Sequence, residues 1–417
     1  MESFLARNAR LATVVLGLAM LAVLIPASAQ GQTFTTLYAF TGATDGAYPY
    51  APLALDKAGN LYGTASRGGL TGGCGNLGCG TVFKLDSTNT LSVLYTFTGP
   101  DGTSPTAGLL RDKAGNLWGT TNNGGRKGLG AAFHIKATGQ EIVVHSFGAT
   151  KTDGTLAYGG LIADSAGNHY GLTYTGGTGG VSCGVLGCGT VYKVDKTGKE
   201  TVLYSFTGAT DGGGPYYGNL VRDAAGNLYG TNGFGGSLSN CSVGCGVVFK
   251  VDSTGHESVL YAFTGGADGA NPRGGLVRDS AGNLYGTTYD GGIPGGCIFG
   301  YGCGTVFKLD TSGNLTTLYS FTGGSDGGNS FATLVRDAAG NLYGTTYAGA
   351  FGYGTIFKLD SAGNETTLYQ FTDTTDGAFP IAGLVRDAAG NLYGTTAGGG
   401  GASACTGGCG TVFKLTP

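Results

Sequence analysis

The residues of this chain that could do chemistry recur at fixed stations, so each station can be judged against its own repeats. Asp-Gly stands in seven connecting segments, at Asp45, Asp101, Asp153, Asp211, Asp268, Asp326 and Asp376. Such an Asp can cap a turn through backbone N–H groups while the Gly supplies an unusual φ. The sharper alternative is a calcium site, which needs about six or more oxygens, far more than one Asp per repeat offers. Five residues after each Asp come Tyr50, Thr106, Tyr158, Tyr216, Arg273, Phe331 and Ile381, with Tyr217 beside Tyr216. Aromatic rings in a concave site present flat apolar faces with polar tips, suited to stacking on sugars or gripping a peptide. Tyr50, Tyr158, Tyr216, Tyr217, Arg273 and Phe331 are therefore the candidate ligand-binding set, with packing between repeats as the plainer alternative. Tyr174, Tyr289, Phe299, Tyr301 and Tyr347 could extend that surface.

A second station pairs Arg with Asp. Arg111, Arg222, Arg278, Arg336 and Arg386 each precede an Asp, whereas Leu55 and Ala163 take the Arg place in the other two copies. Planar guanidinium groups arranged around an axis could bind anions, and the competing reading is Arg-to-Asp pairing that joins neighbouring repeats. Three His residues, His134, His145 and His169, replace a repeat Lys, Tyr and Leu, and Trp118 replaces a Tyr. No Ser, Cys or carboxylate stands at a telling distance from them, so they read as drift at tolerant positions, with Trp118 in the core. No catalytic residue, metal site or cofactor is expected.

Ten Cys residues fall into five close pairs: Cys74 with Cys79, Cys183 with Cys188, Cys241 with Cys245, Cys297 with Cys303, and Cys405 with Cys409. All lie in Gly-rich loops, and the two repeats without Cys have the two shortest of these loops. That correlation points to local disulfides that stiffen long loops in an oxidising compartment. Zinc or redox chemistry is the alternative, but neither the Cys pairs nor the His residues show the spacing of a converging ligand set.

These stations are positioned by one unit repeated seven times, marked by Gly-Asn at Gly59, Gly115, Gly167, Gly226, Gly282, Gly340 and Gly390. In full form it reads Gly-Leu-Val-Arg-Asp, Ala-Ala-Gly-Asn-Leu-Tyr-Gly-Thr-Thr, a Gly-rich stretch, Gly-Thr-Val-Phe-Lys-Leu-Asp, a turn, and Thr-Thr-Leu-Tyr-Ser-Phe-Thr-Gly. Its apolar runs are short, rich in β-branched and aromatic residues, and bounded by Gly, Asn or Asp, which predicts four strands, A to D, per unit. Seven such units fit an all-β, seven-bladed β-propeller with four antiparallel strands per blade. An open β-solenoid is the alternative, but its usual repeat is about half as long. Thr36 to Phe40 reads as a lone strand D, and Lys414-Leu415 ends a strand C without its D partner. The N-terminal strand is thus expected to complete the last blade and close the ring. Loops B to C and connections D to A then share one face, the top.

The chain has 417 residues, 86 of them Gly, with 41% hydrophobic, 11% aromatic and 12% charged residues. This supports a real core and excludes a disordered or collagen-like chain. A formal charge of −3 offers no field for nucleic acid or an anionic membrane. Arg7 and Arg10, the apolar run from Leu11 to Ile25, and Ala27-Ser28-Ala29 read as a secretory signal over residues 1–29. The expected product is one propeller domain over 30–417, monomeric, secreted or periplasmic, with no transmembrane anchor after cleavage.

The phrases Gly-Asn-Leu-Tyr-Gly-Thr-Thr, Gly-Thr-Val-Phe-Lys-Leu and Leu-Tyr-Ser-Phe-Thr-Gly resemble those of the bacterial GloVer (Gloeo-Verruco) tandem repeat family. The Asp-x-Ala-Gly-Asn-Leu-Tyr joint is similar to the strand-turn-strand phrase of NHL-type propellers. The resemblance implies exported bacterial proteins, often surface-anchored, and transfers no activity. The expected function is a non-catalytic binding module for polysaccharide or cell-envelope material, or for a protein partner outside the cytoplasm. A carbohydrate lyase or hydrolase with its site at the channel mouth, and a purely structural surface protein, are the alternatives.

Overall fold

Each repeat folds into one four-stranded antiparallel sheet, and seven such sheets form a β-propeller. The computed structural model describes residues 32–417 apart from 70–72, 180–182, 239, 294–296, 298–299 and 350. The expected signal over 1–29 and the candidate Phe299 lie outside the described residues. Blade 1 has strands A to D at Ala54–Leu55, Leu61–Ala65, Thr81–Leu85 and Leu91–Thr96. Blade 7 takes A, B and C from Val385–Arg386, Leu392–Thr396 and Thr411–Thr416, and its D from Thr33–Ala39. The pairing runs from Thr33 opposite Thr416 to Ala39 opposite Thr411, so the N-terminal strand closes the ring as its sequence predicts.

The hairpins explain why Asp, Gly and Asn recur. In blade 1 the Asp56 N–H donates to the Asn60 carbonyl and the Gly59 N–H to the Asp56 carbonyl, with Gly59 at φ 84°. The Asp56 carboxylate accepts from the backbone of Ala58 and Asn60, from the Asn60 amide, and from the Tyr62 hydroxyl at 3.1 Å. Burial pushes this carboxyl up, yet those donors outweigh it and hold Asp56 below the ordinary carboxylate range; the equivalent Asp164 falls to about 2.

The core lies in the seams between blades, which is why both faces of strand C are apolar. In Thr305-Val306-Phe307-Lys308-Leu309, Phe307 and Leu309 pack with Val248 and Phe263 of blade 4, while Val306 packs with Phe321 and Phe357 toward blade 6. The Gly of each Leu-Tyr-Gly-Thr strand is needed there: a Cβ on Gly286 would sit 2.6 Å from the Phe307 ring. Every strand D is followed by a wholly buried Phe set edge-on to the ring of the next strand C, from Phe40 on Phe83 to Phe371 on Phe413. Polar bonds cross the seams too. The Thr231 hydroxyl donates to the Gly274 carbonyl at 2.9 Å, and the same bond from Thr395 to Ala51 spans the closure. Among the described residues, no helix is long and apolar enough to cross a membrane.

Candidate functional site

Connection D to A begins with the repeated Asp. In blade 3 the Asp211 carboxylate accepts from the Thr207 N–H at 2.8 Å and the Tyr204 hydroxyl at 3.0 Å. The capping arrangement recurs in all seven connections. Three residues on, every connection adopts a left-handed backbone, at Tyr48, Ser104, Leu156, Gly214, Asn271, Asn329 and Phe379, with φ between 53° and 61°. Six of the seven are not Gly, so the conformation is held against its cost. What holds it is two backbone bonds per blade, one of them to its carbonyl from the following blade's B-to-C loop, as from the Tyr289 N–H to Asn271 at 3.1 Å. The N–H of this residue donates to the previous blade's B-to-C loop, as Asn271 does to the Cys245 carbonyl at 2.7 Å and Tyr48 to Cys409 at 2.8 Å. All five expected Cys pairs are disulfides. In five blades, therefore, the acceptor carbonyl belongs to the second Cys of the disulfide. The disulfide-free blades use Leu129 and Tyr353 instead.

Two residues after each left-handed position stands the candidate mouth residue, and the structure divides these into two groups. Tyr50, Thr106, Tyr158, Tyr217, Phe331 and Ile381 meet on the propeller axis around a cavity of only about 10 Å³, the threshold for a single water. The rings plug the channel in a connected chain: Tyr158 stacked on Tyr216 at 5.0 Å, Tyr216 edge-on to Tyr217 at 4.4 Å, and Tyr217 edge-on to Phe331 at 5.9 Å. Burial, and then neighbouring hydroxyls, push the Tyr50 and Tyr217 phenols up, so both stay neutral hydrogen-bonding groups.

Tyr216 and Arg273 instead look out from this plug into a top-face cleft of about 790 Å³, between the loops of blades 4 and 5. That volume is in the range of small-molecule sites, roughly 300–1,000 Å³. Its walls include Tyr174, Phe234, Asn240 and Tyr301, the last 73% exposed at the rim. The Arg273 guanidinium lies 3.9 Å from the Tyr289 ring centre and 5.0 Å from that of Phe331, which fixes its plane while leaving its edge free. Arg273 Nε donates to the Asn271 Oδ1 at 3.3 Å, and Asn271 Nδ2 donates to Asp290 at 3.1 Å. Burial raises the Asp290 carboxyl, opposed by Asn271 and Arg273. Asp290 is the one carboxylate among the described lining residues. Phe234, Asn240, Asn271 and Asp290 were not singled out by sequence. The one available signal was that Arg273, two residues after Asn271, is the single charged residue at its station.

The Arg residues of strand A do not pair with the neighbouring Asp, contrary to that expectation. The Asp are consumed by their own turns and by Tyr, or in blade 2 by Trp118. Each guanidinium lies over the preceding blade's strand B Tyr instead, from Arg111 on Tyr62 at 5.3 Å to Arg278 on Tyr229 at 6.0 Å, with Arg222, Arg336 and Arg386 between. The His cluster splits in two. Trp118 is sandwiched between His134 at 4.0 Å and His169 at 3.9 Å, and burial lowers both imidazoles. His145 stands apart from them, against Asp153.

Fold and site together define a closed seven-bladed β-propeller with a plugged axis and an open, aromatic top-face cleft. The chain belongs to the Gloeobacter/Verrucomicrobia repeat family, whose model matches residues 17–184, 71–299 and 237–417. No curated protein matches it. Among solved structures it is similar to the extracellular domain of the one-component or hybrid two-component system BT4673 from B. thetaiotaomicron. There the TM-score is 0.54 at 9% identity, over 91% of this chain and 39% of that one; a second structure of that domain gives 0.55 at 11%. This chain thus spans about two fifths of that relative's length, and the likeness speaks to fold alone. A gluconolactonase from Xanthomonas campestris matches at TM-score 0.42 and 16% identity, over 75% of this chain and 85% of that one, which carries no argument about activity.

Proposed function

We propose that this propeller is an exported, non-catalytic binding module that takes polysaccharide or cell-envelope glycan in the cleft between blades 4 and 5. The observation that carries this reading is the cleft itself, where Tyr174, Tyr216, Phe234 and Tyr301 surround Arg273 and its Asn271–Asp290 support. Aromatic faces suit the C–H faces of sugars, and the free guanidinium edge suits a uronate or another acidic substituent. A lone carboxylate favours binding over hydrolysis, since glycoside hydrolysis ordinarily uses two. Five disulfides and the basic-apolar leader support an oxidising location, secreted or periplasmic. Tyr50, Tyr158, Tyr217 and Phe331 form the floor that holds Tyr216 in place.

Calorimetric titration of the protein from Gln30 onward against neutral and acidic polysaccharides and envelope fragments tests the proposal, with product analysis on every binder. Saturable binding is expected, with Tyr216→Ala and Arg273→Ala each weakening it at least tenfold, about 1.4 kcal/mol. Binding left unchanged by both variants would overturn the site, and any turnover would overturn the non-catalytic reading.

A further inference from the structure

The seam between blades 2 and 3 breaks the repeat at two positions that converge, and none of the residues there lines the cleft. In the other six blades the next-to-last residue of strand D is Tyr, namely Tyr38, Tyr95, Tyr204, Tyr261, Tyr319 and Tyr369. Each of these hydroxyls donates to its own connection's Asp at 2.6 to 3.1 Å. Blade 2 has His145 there, with Nε2 3.1 Å from Asp153 Oδ2. Across the seam, Glu200 opens strand D of blade 3, and one ligand atom each from His145, Asp153 and Glu200 lies within 4.8 Å of the others. The Asp153 side chain is 2% exposed. Its Oδ1 and the Glu200 Oε1 are buried without a hydrogen-bond partner. The second break is Tyr192, where the other strands C carry Phe. It is wholly buried, its hydroxyl has no partner, and it is near enough to feel the charges of Glu200 and Asp153.

Two carboxylates withdrawn from water with unpaired oxygens are costly unless a cation or proton satisfies them. Three other seams set a strand D Glu against the Asp of the preceding connection: Glu141 with Asp101, Glu257 with Asp211, and Glu365 with Asp326. None of these has an imidazole, because Tyr fills the place. We propose that His145, Asp153 and Glu200 form a site for a divalent transition metal, Zn²⁺ in preference to Ca²⁺ or Mg²⁺, which pins blade 2 to blade 3. Imidazole nitrogen selects zinc-like ions over hard cations, and three protein ligands with a fourth position open to water is a familiar zinc arrangement. The pin falls beside a blade that has no disulfide.

The repeats supply the control variants. His145→Tyr installs the residue that six blades already carry, and Glu200→Leu the residue that blades 1 and 5 carry as Leu91 and Leu315, so both retain the fold, as circular dichroism and the thermal midpoint will verify. Tag-free protein, stripped with chelator, is titrated with Zn²⁺ and separately with Ca²⁺ by calorimetry and by competition with a chromophoric chelator. The expected result is one Zn²⁺ per chain, affinity lowered at least tenfold in each variant, and a thermal midpoint that rises with Zn²⁺ only in the parent protein. Three results would each overturn the site as assigned: no saturable Zn²⁺ binding, binding undiminished in folded His145→Tyr, or Ca²⁺ bound as tightly as Zn²⁺.

Discussion

Replacing Phe40 by Ala isolates ring closure from every other contribution to stability, because the molecule contains its own controls. Phe40 follows the N-terminal strand, is wholly buried, and meets the Phe83 ring edge-on at 5.1 Å across the seam between blades 7 and 1. Phe206 occupies the equivalent place in an interior seam, also wholly buried, with its ring 4.9 Å from that of Phe249. Truncating a buried Phe to Ala costs about 3–5 kcal/mol through lost transfer energy and the cavity left behind. For a chain of this length unfolding as one unit, each kcal/mol moves the midpoint by roughly 1–1.5 °C, so Phe40→Ala, at about 3–5 kcal/mol, should lower it by about 3–8 °C. The decisive quantity is the ratio of the two variants in differential scanning calorimetry. In a closed ring Phe40→Ala and Phe206→Ala cost nearly the same. A midpoint unchanged by Phe40→Ala while Phe206→Ala falls as expected would refute closure by this strand. A deletion of Thr33 to Phe40 should be more damaging than either, since it also removes the pairing with Thr411–Thr416 and the stack of Phe34 on Tyr369 at 3.9 Å.

Removing one disulfide, for instance with Cys74→Ala and Cys79→Ala together, should cost about 2 kcal/mol for so short a ring. The costs of pairs in distant blades should add, as measured by denaturant unfolding; no loss in any pair would refute the stiffening role. Glu141 and Glu257 are each raised to about 7, first by burial and then by Asp101 and Asp211 across their seams. Their contribution to stability is complete below the unfolded value of 4.5 and is lost as pH rises through about 7. His134 and His169, lowered by burial, act oppositely in the overlapping window below 6.5, so a difference between proteins is the cleaner readout. Glu141→Gln with Glu257→Gln should raise the thermal midpoint near pH 8 and leave it unchanged near pH 5; an equal rise at both would refute the linkage.

Features that repeat within one unit were legible in the sequence, because local chemistry fixes them. The Asp-Ala-Ala-Gly-Asn turn, the two-faced apolar strand C and the paired Cys each declare their structure within ten residues. Ring closure was legible because Thr36 to Phe40 carries the strand D pattern without a partner. Contacts between units were not legible, since spacing inside a repeat says nothing of which side chain the neighbour presents. Arg111 therefore read as a partner for Asp, when its guanidinium lies over Tyr62 of the previous blade. His145 likewise read as lacking a carboxylate nearby, although Glu200 of the next blade lies across the seam from it. Tyr50 and Tyr216 looked equivalent by register, yet one lines the small axial cavity and the other the wall of a cleft.

The scaffold is tied together in the same way beneath both groups. The repeated Asp fixes the start of each connection, and the carbonyl of the previous blade fixes its left-handed residue two positions before the mouth. The backbone of the mouth residue is therefore placed by bonds from two blades, whatever its side chain. In five blades a disulfide holds the residue that supplies that carbonyl, so the staples act on the orientation of the mouth as well as on stability. Such a frame lets Tyr, Thr, Phe, Ile and Arg occupy one station without disturbing the fold. Variation at that station, and in the B-to-C loops above it, is thus free to shape a ligand surface. Blades 4 and 5 combine a left-handed Asn271, an outward Arg273 and long stapled loops. The cleft opens there, with Arg273 on its wall where the other six connections place a side chain around the axial cavity.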